Sequence, residues 1–209
     1  MDPLHQPLAA GLQQLGLEYS FRLCSGLLNY LNLLTKWNAV YSLTAVRDAN
    51  NMVTHHLLDS LSVVPLLPAG TLADVGTGPG LPGIPIAMTE PEREVVLVES
   101  NQKKSAFLVQ AVGTLGLRNV RVVRQRVEEF HPDVAFDTVI SRAFADLSDF
   151  VRLAGHLAKP AGQLLAMKGL LPHEELTKVP DDFACLAVRP LSVPGLAAAR
   201  HLVILQKKQ

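Results

Sequence analysis

The stretch that decides the fold is Leu72-Ala73-Asp74-Val75-Gly76-Thr77-Gly78-Pro79-Gly80-Leu81-Pro82-Gly83. A short apolar run ends abruptly in a glycine-rich turn, and a helical pattern follows. This order is typical of a buried parallel strand that passes into a helix beside a nucleotide-sized pocket. Glycine allows such a turn because, without a Cβ, its backbone can bend sharply and approach a ligand.

The spacing of the glycines argues against a dinucleotide site. The pattern G-x-G-x-x-G fails when it is counted from Gly76, because Leu81 occupies its last position. Counted from Gly78 the pattern matches, but it starts three residues past Val75 and contains two prolines. A proline has no N–H to donate to a pyrophosphate. A P-loop fails as well, because Ile84 stands where that motif needs lysine.

The pattern that fits best is Asp74-x-Gly76-x-Gly78-x-Gly80. It resembles the first motif of class I methyltransferases, which bind S-adenosylmethionine (SAM). SAM has no phosphate, so prolines in the turn do not interfere with it. The residues alone leave open a second interpretation, a tight strand-to-helix turn without a ligand.

Composition limits the class of protein. The chain has 209 residues, 48% of them hydrophobic, and zero formal net charge. This length suits one domain with a small appendage, and the charge gives no global case for nucleic-acid binding. The two cysteines lie outside any C-x-x-C pattern, and we expect no metal. The chain begins without a signal-peptide pattern and has no long apolar run, so we expect a cytoplasmic protein with no membrane partner.

The order of patterns predicts an α/β fold. Apolar residues at helical spacing predict helices over 4–17, 18–37 and 49–64. After Gly70, short apolar runs alternate with helical stretches, which predicts a doubly wound, mostly parallel sheet. The strand candidates are 72–75, 94–99, 120–125, 136–141, 162–167, 184–190 and 201–206. We therefore predict an N-terminal helical segment (1–68) and a Rossmann-like domain of about seven strands (69–209), with its last two strands antiparallel at one edge.

Candidate site residues follow the strands, because open α/β sheets bind ligands at the carboxyl ends of their strands. Glu99 ends the second strand and is placed to accept from ribose hydroxyls, although it could instead cap a helix. Arg142 and Lys168 follow the fourth and fifth strands and could face an anion, although Arg142 could instead form a structural salt bridge. His56, in the helical segment, is a weaker candidate.

No obvious general base accompanies these residues. Methyl transfer to a ring nitrogen with a free lone pair needs no proton removed beforehand, so positioning can supply the rate.

The sequence resembles a known family over almost its whole length: the bacterial 16S ribosomal RNA (guanine-N7) methyltransferases, also called glucose-inhibited division protein B. The matching stretches are Lys36-Trp37-Asn38, Leu43 to Asp48, His56 to Ser60, Asp74 to Pro85, Arg126 to Phe130, Phe136-Asp137, Val139 to Ala145 and Lys168-Gly169. The resemblance implies a class I SAM-dependent methyltransferase fold, SAM as cofactor and S-adenosylhomocysteine as product. It also implies a partner, either 16S rRNA or the small ribosomal subunit or its assembly intermediate. We expect a monomer.

The resemblance also assigns roles by position. Together with the glycine motif it gives a cofactor-binding set: Asp74, Gly76, Gly78, Gly80, Leu81, Glu99, Val127, Glu128 and Arg142. The candidates for RNA contact are Lys36, Arg47, His56, Arg126 and Lys168. Arg142 and Lys168 are the residues predicted to act in catalysis.

Three positions depart from the family pattern. Ser42 and His55 stand where members often carry asparagine and arginine, and Glu99 replaces a commoner aspartate. The missing arginine and the zero net charge favour an assembled particle over naked RNA as substrate. The alternatives to an rRNA methyltransferase are a non-catalytic RNA-binding or ribosome-assembly factor, a methyltransferase for another substrate, and an NAD-linked oxidoreductase.

Overall fold

The computed structural model describes residues 2–142, 144 and 146–208. Its N-terminal part is helical, as predicted. The elements are α1 (His5–Gln14), α2 (Phe21–Tyr41), α3 (Ala49–Met52), a π-helical segment (Val53–Leu58) and α4 (Asp59–Leu61). Asp48 begins α3 by accepting the Asn51 N–H at 2.9 Å. Ser42 ends α2 in the left-handed region (φ 51°), a conformation that asparagine adopts more readily than serine.

Seven strands form one sheet. They are β1 (Leu72–Val75), β2 (Val95–Val98), β3 (Val120–Val123), β4 (Phe136–Ser141), β5 (Ala158–Lys168), β6 (Phe183–Pro190) and β7 (His201–Lys207). The strand order is β3-β2-β1-β4-β5-β7-β6, and β7 runs antiparallel to both of its neighbours. The predicted seven-stranded, mostly parallel sheet with an antiparallel pair at one edge is confirmed. The remaining helices are α5 (Gly83–Thr89), α6 (Gln102–Leu115), α7 (Leu147–Ala154) and α8 (His173–Leu176).

Helices cover both faces of the sheet. Successive strand residues point to opposite faces, so Ile140 packs with the N-terminal helices, α5 and α6, while its neighbour Val139 packs with α7. The N-terminal helices thus share a core with the sheet, and the division of the chain at residue 68 stays a prediction. No helix in the described part of the chain is long and apolar enough to cross a membrane.

The register of the sheet brings one residue from each of five strand ends into a row. Val75 pairs with Val98, Val98 with Val123, Asp74 with Ile140, and Ser141 with Ala166. Continued by one residue past Val123, Val98, Val75 and Ser141, this register places Arg124, Glu99, Gly76 and Arg142 in that order along the carboxyl edge, with Met167 of β5 beside Arg142. Neighbouring strands are about 4.8 Å apart. Because β7 is antiparallel, it begins at this same edge, where His201 pairs with Lys168.

Candidate active site

Hydrogen bonds to Asp74, in β1, hold the glycine turn that follows this strand. Gly76, Gly78 and Gly80 have backbone φ values of 64°, 62° and 101°, which residues with a Cβ rarely adopt. The fully buried Asp74 accepts hydrogen bonds from the Thr77 hydroxyl and, at 2.7 Å, from the Gly83 N–H. Asp74 therefore holds the loop in its conformation, and a direct contact between Asp74 and a cofactor stays a prediction.

The N-terminal segment braces the same turn. The buried Tyr30 hydroxyl on α2 donates to the Pro79 carbonyl at 2.9 Å. Burial raises the pKa of Tyr30 far above its usual range, so the hydroxyl stays protonated as a donor. The Leu81–Pro82 peptide bond in this turn is cis.

Glu99 reaches the turn from the end of β2. Its Oε2 accepts the Gly78 N–H at 2.9 Å, and its Oε1 accepts the Asn101 N–H at 2.7 Å. Glu99 is not the cap of the following helix. That role belongs to Asn101, whose side chain accepts the Lys103 and Lys104 N–H groups at the start of α6. Each carboxylate oxygen has two lone pairs, so Glu99 retains capacity for ligand hydroxyls.

Val127 and Glu128 lie in a 3-10 turn (Val127–Glu129) that follows β3. Val127 is half-buried, whereas Glu128 and the neighbouring Arg126 are exposed. Their strand lies two positions from β1, so these residues flank the glycine turn on the side away from β4.

A cleft of about 390 Å³ opens on the other side of the turn. It lies between the π-helical segment and the ends of β4 and β5. Its lining residues are Val46, His55, His56, Asp59, Arg142, Met167, Lys168, Gly169 and Arg200.

The cleft is organised around Asp59, whose side chain is only 3% exposed. Its Oδ2 accepts from Arg142 Nη1 at 2.9 Å, and its Oδ1 accepts from Arg200 Nε at 2.8 Å. One carboxylate thus fixes two guanidinium groups that come from the end of β4 and the start of β7. The structural salt bridge considered for Arg142 does form, and it leaves about a quarter of that side chain exposed to the cleft.

The π-helical segment adds a further bond to Arg142. The Asp59 N–H donates to the Thr54 carbonyl, five residues back. The His55 carbonyl accepts from Arg142 Nη1 at 3.1 Å. Helical turns of this kind recur at functional sites, because the irregular turn redirects backbone groups.

Lys168 lies deeper in the cleft wall and is 10% exposed. Its Nζ contacts Glu175 Oε2 at 2.7 Å and the Phe144 carbonyl at 3.2 Å. The same Glu175 oxygen accepts the Leu147 N–H at 2.9 Å. Among the residues that the structure describes, Asp59 and Glu175 are the carboxylates paired with Lys168, Arg142 and Arg200, so this group of five side chains carries a formal charge of plus one.

His56 is buried at the edge of the cleft. Its Nε2 lies 3.0 Å from the Thr44 hydroxyl, and its Nδ1 has no hydrogen-bond partner among the residues that the structure describes. Burial, and secondarily the charge of Arg142, lower the pKa of His56 to about 4, so the ring is neutral at physiological pH. The described residues include no group of three or more His, Cys, Asp or Glu side chains that could hold a metal.

The other two predicted RNA contacts lie on the surface. Arg47 is exposed beside Val46, which lines the cleft, and Lys36 is on the exposed face of α2. Neither forms an ion pair within the described part of the chain. The structure therefore brings Arg142, Lys168 and His56 together, and leaves Lys36 and Arg47 apart from them.

Sequence reasoning missed Arg200, Tyr30 and Glu175. The role of Arg200 could have been predicted from its position directly before β7. An antiparallel last strand begins at the carboxyl edge of the sheet, so its first residues lie at the site. The sequence held no such signal for Tyr30 and Glu175, because each acts through a contact distant in sequence.

Asp74 gives the site a testable pH dependence. Burial raises its pKa to about 7, against an ordinary 3.8. The folded state then binds more protons than the unfolded state between these values, so this group's contribution to stability is present below pH 3.8 and lost as the pH rises through 7. We expect the free energy of unfolding of wild type, relative to that of Asp74→Asn, to fall by about 3 kcal/mol from pH 5 to pH 8.

Denaturant unfolding of both proteins at each pH measures this difference. The comparison is needed because His56, with its lowered pKa, acts in the opposite direction: its contribution grows as the pH rises from about 4 to 6.5. A wild-type-minus-variant difference that stays constant with pH would show that Asp74 is ionised throughout.

The fold and the glycine turn define a class I methyltransferase. Similar solved structures include a SAM dependent methyltransferase from Aquifex aeolicus (TM-score 0.59, 19% identity, 80% of this chain and 97% of that one). Another is TrmN from Thermus thermophilus (TM-score 0.58, 20% identity, 75% of this chain and 53% of that one). At these identities the likeness establishes the fold.

Sequence comparison identifies the family. The model of the GidB family, described as rRNA small subunit methyltransferase G, matches residues 23–203. A protein of Nitrosospira multiformis named ribosomal RNA small subunit methyltransferase G is 50% identical over 99% of both chains. One of the same name from Aromatoleum aromaticum is 50% identical over 96% of this chain and 97% of the other. The chain belongs to this family, and the resemblance predicted from its motifs is confirmed.

Proposed function

We propose that this protein binds SAM over the glycine turn and transfers its methyl group to N7 of a guanine in 16S rRNA. The observation that carries the proposal is the row at the carboxyl edge of the sheet. It sets Glu99 and Gly76 beside Arg142, so a nucleoside-binding turn and a cationic cleft occupy neighbouring strands. Membership of a family named for small-subunit rRNA methylation supports the same reaction.

The residues of the turn fit SAM. A Cβ built on Gly78 meets no atom within 4 Å, so open space lies above the turn. Glu99, bonded to that same glycine, supplies free lone pairs for ribose hydroxyls. When bound, SAM supplies a methyl group on a positively charged sulfur.

The cleft suits a neutral nucleophile. Guanine N7 carries a free lone pair, and the chain needs no base to prepare it. His56, neutral at physiological pH, adds no charge there. Because the guanine ring becomes positive as the N7–methyl bond forms, a nearby cation does not stabilise that step. Arg142 and Lys168 therefore act by orienting acceptors, such as guanine O6 or phosphate oxygens, while Asp59 and Glu175 moderate the positive potential.

The test is a transfer assay on small ribosomal subunits from cells that lack this protein. We expect purified protein and SAM to methylate one guanine at N7, located by mass mapping of the 16S rRNA. Subunits isolated from those cells should lack that methyl group. If the subunits bind but receive no methyl group, the protein is a non-catalytic assembly factor and the proposal fails.

A glycine substitution tests the cofactor site separately. In Gly78→Ala the added methyl group enters the space assigned to SAM, so we expect the Kd for SAM to rise about tenfold to a hundredfold. Gly116→Ala is a matched control. Both glycines have left-handed φ, 62° and 65°, and neither Cβ would meet an atom within 4 Å.

The two variants should lose similar stability, about 1–2 kcal/mol from backbone strain. Titration calorimetry with SAM and thermal unfolding measure the two effects. Equal SAM affinity in both variants would place the cofactor elsewhere.

A further inference from the structure

The zero net charge of the chain conceals a strong segregation of charge. Residues 100–127 contain no Asp or Glu. The same stretch contains six basic residues: Lys103, Lys104, Arg118, Arg121, Arg124 and Arg126. Because the whole chain has 19 basic and 19 acidic residues, the remainder carries an excess of six acidic residues. Neutral overall composition therefore does not imply a weak electrostatic interaction with RNA.

The fold places this stretch at one side of the molecule. It forms α6 and β3, and β3 is an edge strand whose one partner in the described part of the chain is β2. Arg118 precedes β3, Arg121 lies within it, and Arg124 follows it. We call these three residues the arginine edge. Arg121 and Arg124 are three residues apart, about 10 Å along the sheet margin at about 3.3 Å per residue, and Arg118 lies in the turn before β3.

The arginine edge is exposed and uncompensated. All three side chains are exposed, and none forms an ion pair with any residue that the structure describes. The Arg121 guanidinium lies 5.8 Å from the centre of the Phe130 ring, and it forms no ion pair with a residue that the structure describes. By contrast, the arginines of the cleft are bonded to Asp59.

We propose that the arginine edge binds the phosphate backbone of the substrate RNA beyond the target nucleotide. This inference rests on the proposed function. Arg124 lies in the same row as Glu99, Gly76 and Arg142, so the edge continues directly from the site. Exposed arginines without acidic partners suit phosphate, whereas a charged edge opposes pairing with another protein strand. The acidic excess elsewhere on the chain would turn the other surfaces away from RNA.

The experiment removes two of these charges in Arg121→Gln/Arg124→Gln and measures binding to small ribosomal subunits that lack the modification. We expect the slope of log affinity against log salt to become shallower by about 1.4–1.8, because each lost phosphate contact contributes about 0.7–0.9. The KM for subunits should rise while kcat at saturation stays at the wild-type value. Arg121→Lys/Arg124→Lys, which keeps both charges, should retain the wild-type slope.

Arg189→Gln/Lys207→Gln is the matched control. It removes two exposed cations from β6 and β7, at the opposite edge of the sheet, and neither forms an ion pair with a residue that the structure describes. This control should keep the wild-type salt slope, and a loss equal to that of the test variant would overturn the proposal. So would an unchanged slope in the test variant, or a gain of self-association alone, which would show that the arginines only protect an open sheet edge.

The outcomes separate this inference from the proposed function. If wild-type protein methylates the subunits but the slope does not change, only the arginine edge is wrong. If wild-type protein transfers no methyl group, the proposed function fails whatever the slope. Should the double variant melt at a lower temperature than wild type, each single variant should show about half of the change in slope.

Discussion

Replacing Arg142 by alanine is expected to lower kcat for methyl transfer about a hundredfold. Arg142 joins the end of β4 to the π-helical segment through Asp59 and the His55 carbonyl. Its exposed part faces the cleft beside the glycine turn. In a reaction that depends on alignment of N7 with the departing sulfur, a displacement of about 1 Å can cost two orders of magnitude. Single-turnover transfer to small subunits measures the effect.

The expected effect on binding is smaller. The other basic residues remain in Arg142→Ala, so affinity for the subunit should stay close to wild type. Arg152→Ala is the control, because Arg152 on α7 has a side chain that is 65% exposed and pairs with the similarly exposed Asp149. If Arg142→Ala raises KM and leaves kcat unchanged, Arg142 contributes binding alone and its predicted catalytic role is wrong.

The centre of the fold could be predicted because β1, β2 and β4 are mostly buried apolar runs with clear ends. β1 stops at the glycine turn, and the predicted 72–75 and 136–141 agree with the structure residue for residue. The position of Arg142 at the ligand edge followed from parallel strand direction alone. The π-helical segment could not be predicted, because one shifted hydrogen bond hardly changes the apolar period of residues 49–64.

The electrostatic part of the site was harder to predict for a different reason. Asp59 was one polar residue on a helix, and its role depends on Arg142 and Arg200, which lie 83 and 141 residues away. Composition gave a net charge of zero, and this sum could not reveal that α6 and β3 carry only positive charges. The expectation that the substrate is an assembled particle rather than naked RNA relied in part on that sum, and it stays a prediction.

Replacing Asp59 by alanine is expected to lower the free energy of unfolding by about 3 kcal/mol. Removing one partner of a buried ion pair typically costs about 3–5 kcal/mol, since the other charge is left uncompensated. The lower end applies here, because Arg142 and Arg200 are 27% and 24% exposed and can be hydrated in part. Denaturant unfolding at pH 7 measures the loss.

Asp149→Ala provides the comparison, because it breaks an ion pair whose side chains are 54% and 65% exposed. That change should cost less than about 0.5 kcal/mol. Similar losses in the two variants would mean that the Asp59 cluster behaves as a surface pair. A large loss of stability for Asp59→Ala alone, together with a fall in kcat like that of Arg142→Ala, would mean that this carboxylate both ties the N-terminal helices to β4 and β7 and sets the position of Arg142. Stability and alignment at this site would then depend on one buried group, and variants of Asp59 should lose both together.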